Sequence, residues 1–239
     1  MKRLLGLLMM GVVGFIGCGG DKDTPTGPTQ GPEGQTLEVW TEKWDNGNVK
    51  EEYHYFRDIE GKVVKHGYYK EYDKDGTLRV DGTYFEDKEK YNGKWVSYYE
   101  DGQIKYEENY NQDGIPDGKW VYYYSDGQIE REENYKDGEL VGKWVWYYSD
   151  GGRREENYKD GKKEGKWVEY YESGKVRWEG NYVDGKQEGK VVGYYESGEV
   201  DSEANYVDGK LDGKVVGYDE EGNITYEWCY EKGEKVDCP

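Results

Sequence analysis

Between Trp40 and Tyr230 apolar and polar residues alternate in short runs, and a glycine interrupts the alternation at regular intervals. In Trp95-Val96-Ser97-Tyr98-Tyr99 and again in Ile104-Lys105-Tyr106-Glu107-Glu108 the period is two, which sends successive side chains to opposite faces of a β-strand. Helical periodicity is absent throughout. Opening glycines recur at Gly67, Gly93, Gly118, Gly142, Gly165, Gly189 and Gly213, and turn glycines at Gly76, Gly102, Gly127, Gly151, Gly174, Gly198 and Gly222. Each turn glycine follows Asp, Ser or Glu and stands between aromatic or β-branched runs, the short-range signature of a hairpin. Glycine there supplies the positive φ of a tight turn.

The spacing predicts an all-β tandem array with roughly 24 residues per unit. A partial first unit, Trp40 to Tyr55 around Asn46-Gly47, brings the hairpins to about eight. The simplest assembly is an elongated, single-layer antiparallel sheet in which each strand pairs with its sequence neighbours; some 16 strands at about 4.8 Å each would run to roughly 75 Å. Trp95, Ser97 and Tyr99 are expected on one face and Val96 and Tyr98 on the other; after the turn, Ile104, Tyr106, Glu108 and Tyr110 are expected to share a face. Rows such as Val121/Tyr123, Val145/Tyr147 and Val168/Tyr170 would serve as the core. Segments such as Asp160-Gly161-Lys162-Lys163-Glu164-Gly165 read as slightly longer polar loops between hairpins.

The units also differ. From Gly151-Gly152 to Tyr158 one residue is missing relative to the counterparts, which would change the turn or shift a register. The first connection after Tyr55 reads as a longer turn with His54 nearby and His66 within it. Tryptophan gives way to Val191 and Val215 in the last two units.

Composition then bears on whether such an array can fold. Charged residues make up 36 % and hydrophobic ones 34 %, with a mean hydropathy of −1.19, values that point to disorder. The 27 Tyr and 9 Trp reverse that reading, because these rings bury large areas while keeping a polar handle at the surface.

Three segments follow: 1–17, 18–36 and 37–239. Lys2 and Arg3 precede an apolar and glycine stretch from Leu4 to Gly17, the form of an export leader and too short to span a bilayer. It ends Phe15-Ile16-Gly17-Cys18, which resembles the lipobox of bacterial lipoproteins. The resemblance implies cleavage before Cys18, its lipidation, and stable anchoring by several acyl chains. Gly19 follows where an inner-membrane retention signal would resemble Asp, so the outer membrane is the implied address. Residues 19–36 hold three of the five prolines and no large apolar side chain, and read as a disordered tether with a reach on the order of 25 Å. Losing Lys2 and Arg3 with the leader leaves 31 basic against 52 acidic residues, a formal balance of −21. That argues against nucleic acid and anionic lipid head groups as ligands, since both call for a basic footprint.

Gly93-Lys94-Trp95-Val96-Ser97-Tyr98-Tyr99-Glu100-Asp101-Gly102, followed by Asn109-Tyr110 and Asp113-Gly114, resembles the MORN repeat in its bacterial variant form, found in envelope proteins and in a family described as antitoxins. The resemblance spans about 190 of the 239 residues. It implies the hairpin fold and a structural role for the recurring residues; function must be sought in what departs from them.

Candidate chemistry is sparse. Asn109, Asn111, Asp113 and Asp117 place oxygen ligands at alternating positions around Gly114, as calcium loops do, but no bidentate Glu follows and an ordinary polar loop is the default. If Gly233-Glu234 formed the centre of a type II′ turn, Cys229 would fall directly opposite Cys238 at a separation a disulfide accepts, and in an exported chain the bond is expected. No catalytic constellation, phosphate loop or metal spacing emerges, so no enzyme activity and no cofactor are expected; the carboxylates read as a solvated coat. The remaining candidates lie on the face bearing Trp95, Trp120, Tyr122, Trp144, Trp146, Trp167 and Tyr171. The variable positions 97, 122, 146 and 169 are where a ligand would first be sought. The leading expectation is a non-enzymatic, lipid-anchored envelope scaffold that binds another protein. The alternative is a polysaccharide or peptidoglycan binder using the same aromatics. An antitoxin ranks last, because an export leader would separate it from a cytoplasmic toxin.

Overall fold

The computed structural model describes residue 31 and residues 34–85 and 90–238; the leader, Cys18 and most of the tether lie outside them. The described strands form one sheet of 21 members. The first hairpins are β1 (Glu38–Lys43) with β2 (Val49–Arg57), β3 (Val63–Tyr72) with β4 (Leu78–Tyr84), and β5 (Tyr91–Tyr98) with β6 (Ile104–Tyr110). Next come β7 (Gly118–Tyr123) with β8 (Ile129–Lys136), the short β9 (Glu139–Leu140), β10 (Gly142–Tyr147) with β11 (Arg153–Lys159), and the short β12 (Lys162–Lys163). The last are β13 (Gly165–Tyr170) with β14 (Val176–Val183), β15 (Lys186–Gln187), β16 (Gly189–Tyr194) with β17 (Val200–Val207), β18 (Lys210–Leu211), β19 (Gly213–Tyr218) with β20 (Ile224–Glu231), and β21 (Glu234–Val236). The long strands make eight antiparallel hairpins, each joined edge to edge with the next, as between β6 and β7 or β17 and β19.

Each hairpin turn is closed in one way. Tyr99 N donates to Gln103 O at 2.8 Å, Gly102 N donates back to Tyr99 O at 3.0 Å, and Gly102 has φ +84°. This is the three-residue loop built on a type I turn with a glycine bulge. Downstream a second bulge inserts one residue, so that Tyr98 faces Ile104 while Ser97 faces Tyr106. Ile104 therefore shares the face of Val96 and Tyr98, not that of Tyr106, Glu108 and Tyr110 as strict alternation predicted.

The shortened unit differs only there. Tyr148 N still donates to Gly152 O and Gly151 N to Tyr148 O. Tyr147 pairs with Arg153 and Trp146 with Arg154 without irregularity. The missing residue is the one that bulges elsewhere, the counterpart of Lys105 or Glu130. Neither the turn nor the register of the following strand changes.

The connections between hairpins are tighter than loops. Asp137, Asp160, Asp184 and Asp208 have φ between +49° and +52°, each followed by a glycine at positive φ, the two-residue type I′ turn that matches strand twist. The five short strands β9, β12, β15, β18 and β21 follow these turns. At β20–β21 the same turn is made by Lys232 (φ +51°) and Gly233 (φ +91°). Cys229 accordingly faces Val236 rather than Cys238. The two sulfurs still meet diagonally, with the Cα atoms 5.1 Å apart. His66 sits within β3, buried between Phe56 and Phe85, rather than in a turn. The turn itself is Asp58–Lys62. Gly31 and Gln35, assigned by sequence to the tether, are hydrogen-bonded to each other at 2.9 Å, and Gly31 lies against Phe56.

A single layer has two faces and no interior, so burial comes from neighbours along the sheet. Val121, Val145 and Val168 are buried on one face, and Val191, which takes the tryptophan position, is buried on the other. On the valine face each of the six hairpins from β5 onward closes with the same ion pair: Lys94–Glu107, Lys119–Glu132, Lys143–Glu155, Lys166–Glu179, Lys190–Glu203 and Lys214–Glu227, at 2.5 to 2.9 Å. On the other face Trp95 packs with Tyr53, Tyr55 and Tyr69. Where a ring lies across a strand, glycine is required beneath it: a Cβ on Gly82 would fall 2.2 Å from the Trp95 ring, and one on Gly217 would fall 2.1 Å from Tyr226.

Neighbouring units are also tied by a side chain that donates to a backbone carbonyl nine residues further on. Asn134 Nδ2 donates to Lys143 O and Asn157 Nδ2 to Lys166 O, both at 2.7 Å, and Thr83 Oγ1 does the same to Asn92 O. Cys229 occupies the position of those asparagines in the last unit, and Cys238 is again nine residues on.

Candidate binding face

On the tryptophan-bearing face three of the four leading tryptophans face a carboxylate, and Trp167 faces Gly180. Trp95 faces Glu108, Trp120 faces Glu133 and Trp144 faces Glu156 across their hairpins. Tyr110, Tyr135 and Tyr158, two residues further along the same strands, donate their hydroxyls to those carboxylates at 2.6, 2.8 and 3.2 Å. Glu133 and Glu156 are only 5 % and 2 % exposed, so these acids are part of the packing rather than the solvated coat expected of them.

Their electrostatics diverge. Burial pushes the Glu108 carboxyl above the usual carboxylate range, against the hydrogen bonds from Tyr110 and Tyr122. Burial acts in the same direction on Glu156, but hydrogen bonds from Lys163 and Arg154 outweigh it and hold that group below its ordinary value. Arg154 Nε lies 2.7 Å from Glu156 and Lys163 Nζ 2.8 Å from it. The Arg154 guanidinium also reaches Glu169 at 3.3 Å and lies 4.3 Å from the Trp167 ring centre.

The seven aromatic candidates separate in this setting. Trp95 and Trp167 are buried, at 4 % exposure each. The Trp95 indole donates to Thr83 O and that of Trp120 to Asn109 O. The ring of Tyr122 carries the Arg131 guanidinium at 3.5 Å, and burial pushes its hydroxyl up to about 12. Tyr171 belongs to the turn edge: its hydroxyl donates to Tyr194 O in the next unit at 2.7 Å, as Tyr99, Tyr124 and Tyr195 do in theirs. There it ties one turn to the next. At position 97 a serine faces Tyr106, and at position 169 a glutamate is held by Arg154 and Arg177.

Trp144 and Trp146 remain. Their rings stack at 4.5 Å with 29° between planes. Trp146 borders a cleft of about 460 Å³ lined by Tyr124, Glu130, Trp146, Tyr148, Arg154, Glu156 and Lys163. Tyr148 is 37 % exposed, and burial raises its hydroxyl above the ordinary value. The Trp144 indole N–H has no hydrogen-bond partner. The cleft falls on the hairpin that lacks the bulge residue. Tyr148, Arg154, Lys163, Glu130 and Tyr124 were not anticipated from sequence. Counting back from Asn157 would have set Arg154 opposite Trp146; only the fold of the short β12 brings in Lys163.

The proposed calcium loop is otherwise engaged. Asn109 donates its amide to Lys119 O, Asn111 Oδ1 accepts from the N–H groups of Asp113 and Ile115, and Asp117 pairs with Lys136 at 2.7 Å. These side chains cap a turn and tie neighbouring segments. Among the described residues the one grouping of His, Cys, Asp and Glu with metal-like spacing is Glu227, Cys229 and Cys238, the two cysteines being the pair whose Cα atoms lie 5.1 Å apart.

The model of the family described as MORN repeat variant matches residues 65–86, 91–112, 116–137, 163–184, 187–208 and 211–232, more than half of the chain. The hairpins it passes over are the first one and the one lacking the bulge residue. No curated protein matches the chain.

Proposed function

The chain belongs to the MORN repeat variant family, and on that premise we propose that it is a non-enzymatic, lipid-anchored scaffold of the cell envelope that holds another protein against its tryptophan-bearing face. The observation that carries this reading is the cleft beside Trp146, where a stacked tryptophan pair borders the one hairpin that lacks the bulge residue. Binding residues on repeat scaffolds are expected at such departures, because recurring positions are spent on stacking. The leader and Cys18 support the anchoring, and the −21 balance favours a partner that is not itself acidic.

The Cys229–Cys238 bond belongs to the same reading, since an oxidising envelope would keep it formed. Substituting Cys18→Ala should release the protein from membranes, and unchanged retention would defeat the anchor. Crosslinking in the native cell should capture a protein through the Trp146 region, and capture that is unaffected by Trp146→Ala would remove that face from the account. A second reading, a glycan ligand, is favoured by the stacked Trp144–Trp146 pair.

A further inference from the structure

We propose that the cleft lined by Trp146, Tyr148, Arg154, Glu156, Lys163 and Glu130 is a subsite for one uncharged pyranose unit of a glycan chain, whether or not a protein also docks on the array. The cleft, of about 460 Å³, falls in the size range of small-molecule sites, about 300 Å³ upward, and the clefts of about 480 and 610 Å³ at neighbouring turns lack the tryptophan that borders this one. One wall is an indole held flat by its stacking on Trp144, with the partly exposed Tyr148 beside it. A rigid aromatic surface with a polar rim suits a ring that is apolar on its C–H faces and hydroxylated at its edge.

The charges select against ions. The lining has two acids, Glu130 and Glu156, and two bases, Arg154 and Lys163. Both bases are already spent on Glu156, at 2.7 and 2.8 Å, and Arg154 is shared with Glu169 as well. No net positive charge is left for a carboxylate or phosphate, and the chain's overall acidity repels one at long range. What the rim retains is hydrogen-bonding capacity: further lone pairs on the carboxylates and N–H groups of Lys163 and Arg154. Those groups suit hydroxyls. The missing bulge residue contributes as well, because its counterparts are the polar side chains Lys105, Glu130, Arg177 and Asp201, and here Trp146 faces Arg154 with none between.

The test is a titration of the full-length protein, kept in detergent, with neutral tetrasaccharides of glucose, mannose, galactose and N-acetylglucosamine, read by tryptophan fluorescence and calorimetry. At least one should bind saturably. Trp146→Ala should weaken it about tenfold, and Trp40→Ala, a substitution at an exposed tryptophan on β1, should leave it unchanged. An acidic oligosaccharide, oligogalacturonate, should bind more weakly than the neutral chain. Failure of the whole panel, indifference to Trp146→Ala, or preference for the acidic chain would each overturn the proposal. The titration needs no protein partner, so its failure leaves the scaffold reading standing, and failure to find a protein partner leaves the titration unaffected.

Discussion

Individual side chains on this sheet fall into two chemical situations that look alike in sequence, and pH separates them. Glu108 has its folded-state pKa raised by burial, so the fold gains stability as pH falls through that raised value toward the ordinary one, and carries a penalty at neutral pH. Glu156 has its pKa depressed; its contribution is present above the ordinary carboxylate value and is lost as pH falls through the depressed one. Glu108→Gln should therefore be neutral or stabilising at pH 7, by less than about 1 kcal/mol. Glu156→Gln, which removes the ion pairs to Lys163 and Arg154 and leaves Arg154 only Glu169, should cost on the order of 2 kcal/mol, with the difference shrinking in acid. Urea denaturation across pH measures both, and equal behaviour of the two variants would contradict the assignment. Glycine offers a second contrast: Gly82→Ala puts a methyl into the Trp95 ring and should cost about 2 kcal/mol or more.

At the level of hairpins, period-two alternation and the glycine spacing were enough to locate all eight, because turn chemistry and strand period are both local. The bulges were not legible, since the residue that bulges is a polar one that alternation alone would assign to a face. That is why alternation puts Ile104 on the wrong side and why the deletion near Gly151 leaves a turn change and a register shift both open. The type I′ turns at Asp137, Asp160, Asp184 and Asp208 were read as loops because the flanking residues are polar; the Asp-Gly pair carried the signal. Inserting one residue between Arg153 and Arg154 should restore the bulge and shift stability by no more than about 0.5 kcal/mol. Inserting one between Trp144 and Val145 would invert the strand's faces and should unfold the local hairpins, as amide exchange would show. Lys232 takes a left-handed conformation that Asp holds in the preceding turns, so Lys232→Asp should stabilise by about 0.5 kcal/mol, read from thermal denaturation.

Across the whole molecule, the units contact only their neighbours, so stability should be distributed as a chain of junctions. Reducing the Cys229–Cys238 bond, which stands where other units use an asparagine, should loosen β19 to β21 and cost about 2 kcal/mol there, while exchange at β5 to β8 stays unchanged; global unfolding on reduction would count against a one-dimensional array. The face that binds was only half legible. Trp146 stood out because its position varies from unit to unit, whereas Arg154 and Lys163 reach it through pairings that the sequence does not display. On the proposed reading the recurring aromatics hold the sheet and the hairpin without the bulge residue meets the ligand. Photocrosslinking in the native cell, with the probe placed in turn at positions 146, 148 and 94, tests it most directly. Adducts at 146 and 148 with none from 94, on the opposite face, are the expected result; adducts spread evenly over both faces, or absent at 146, would contradict it.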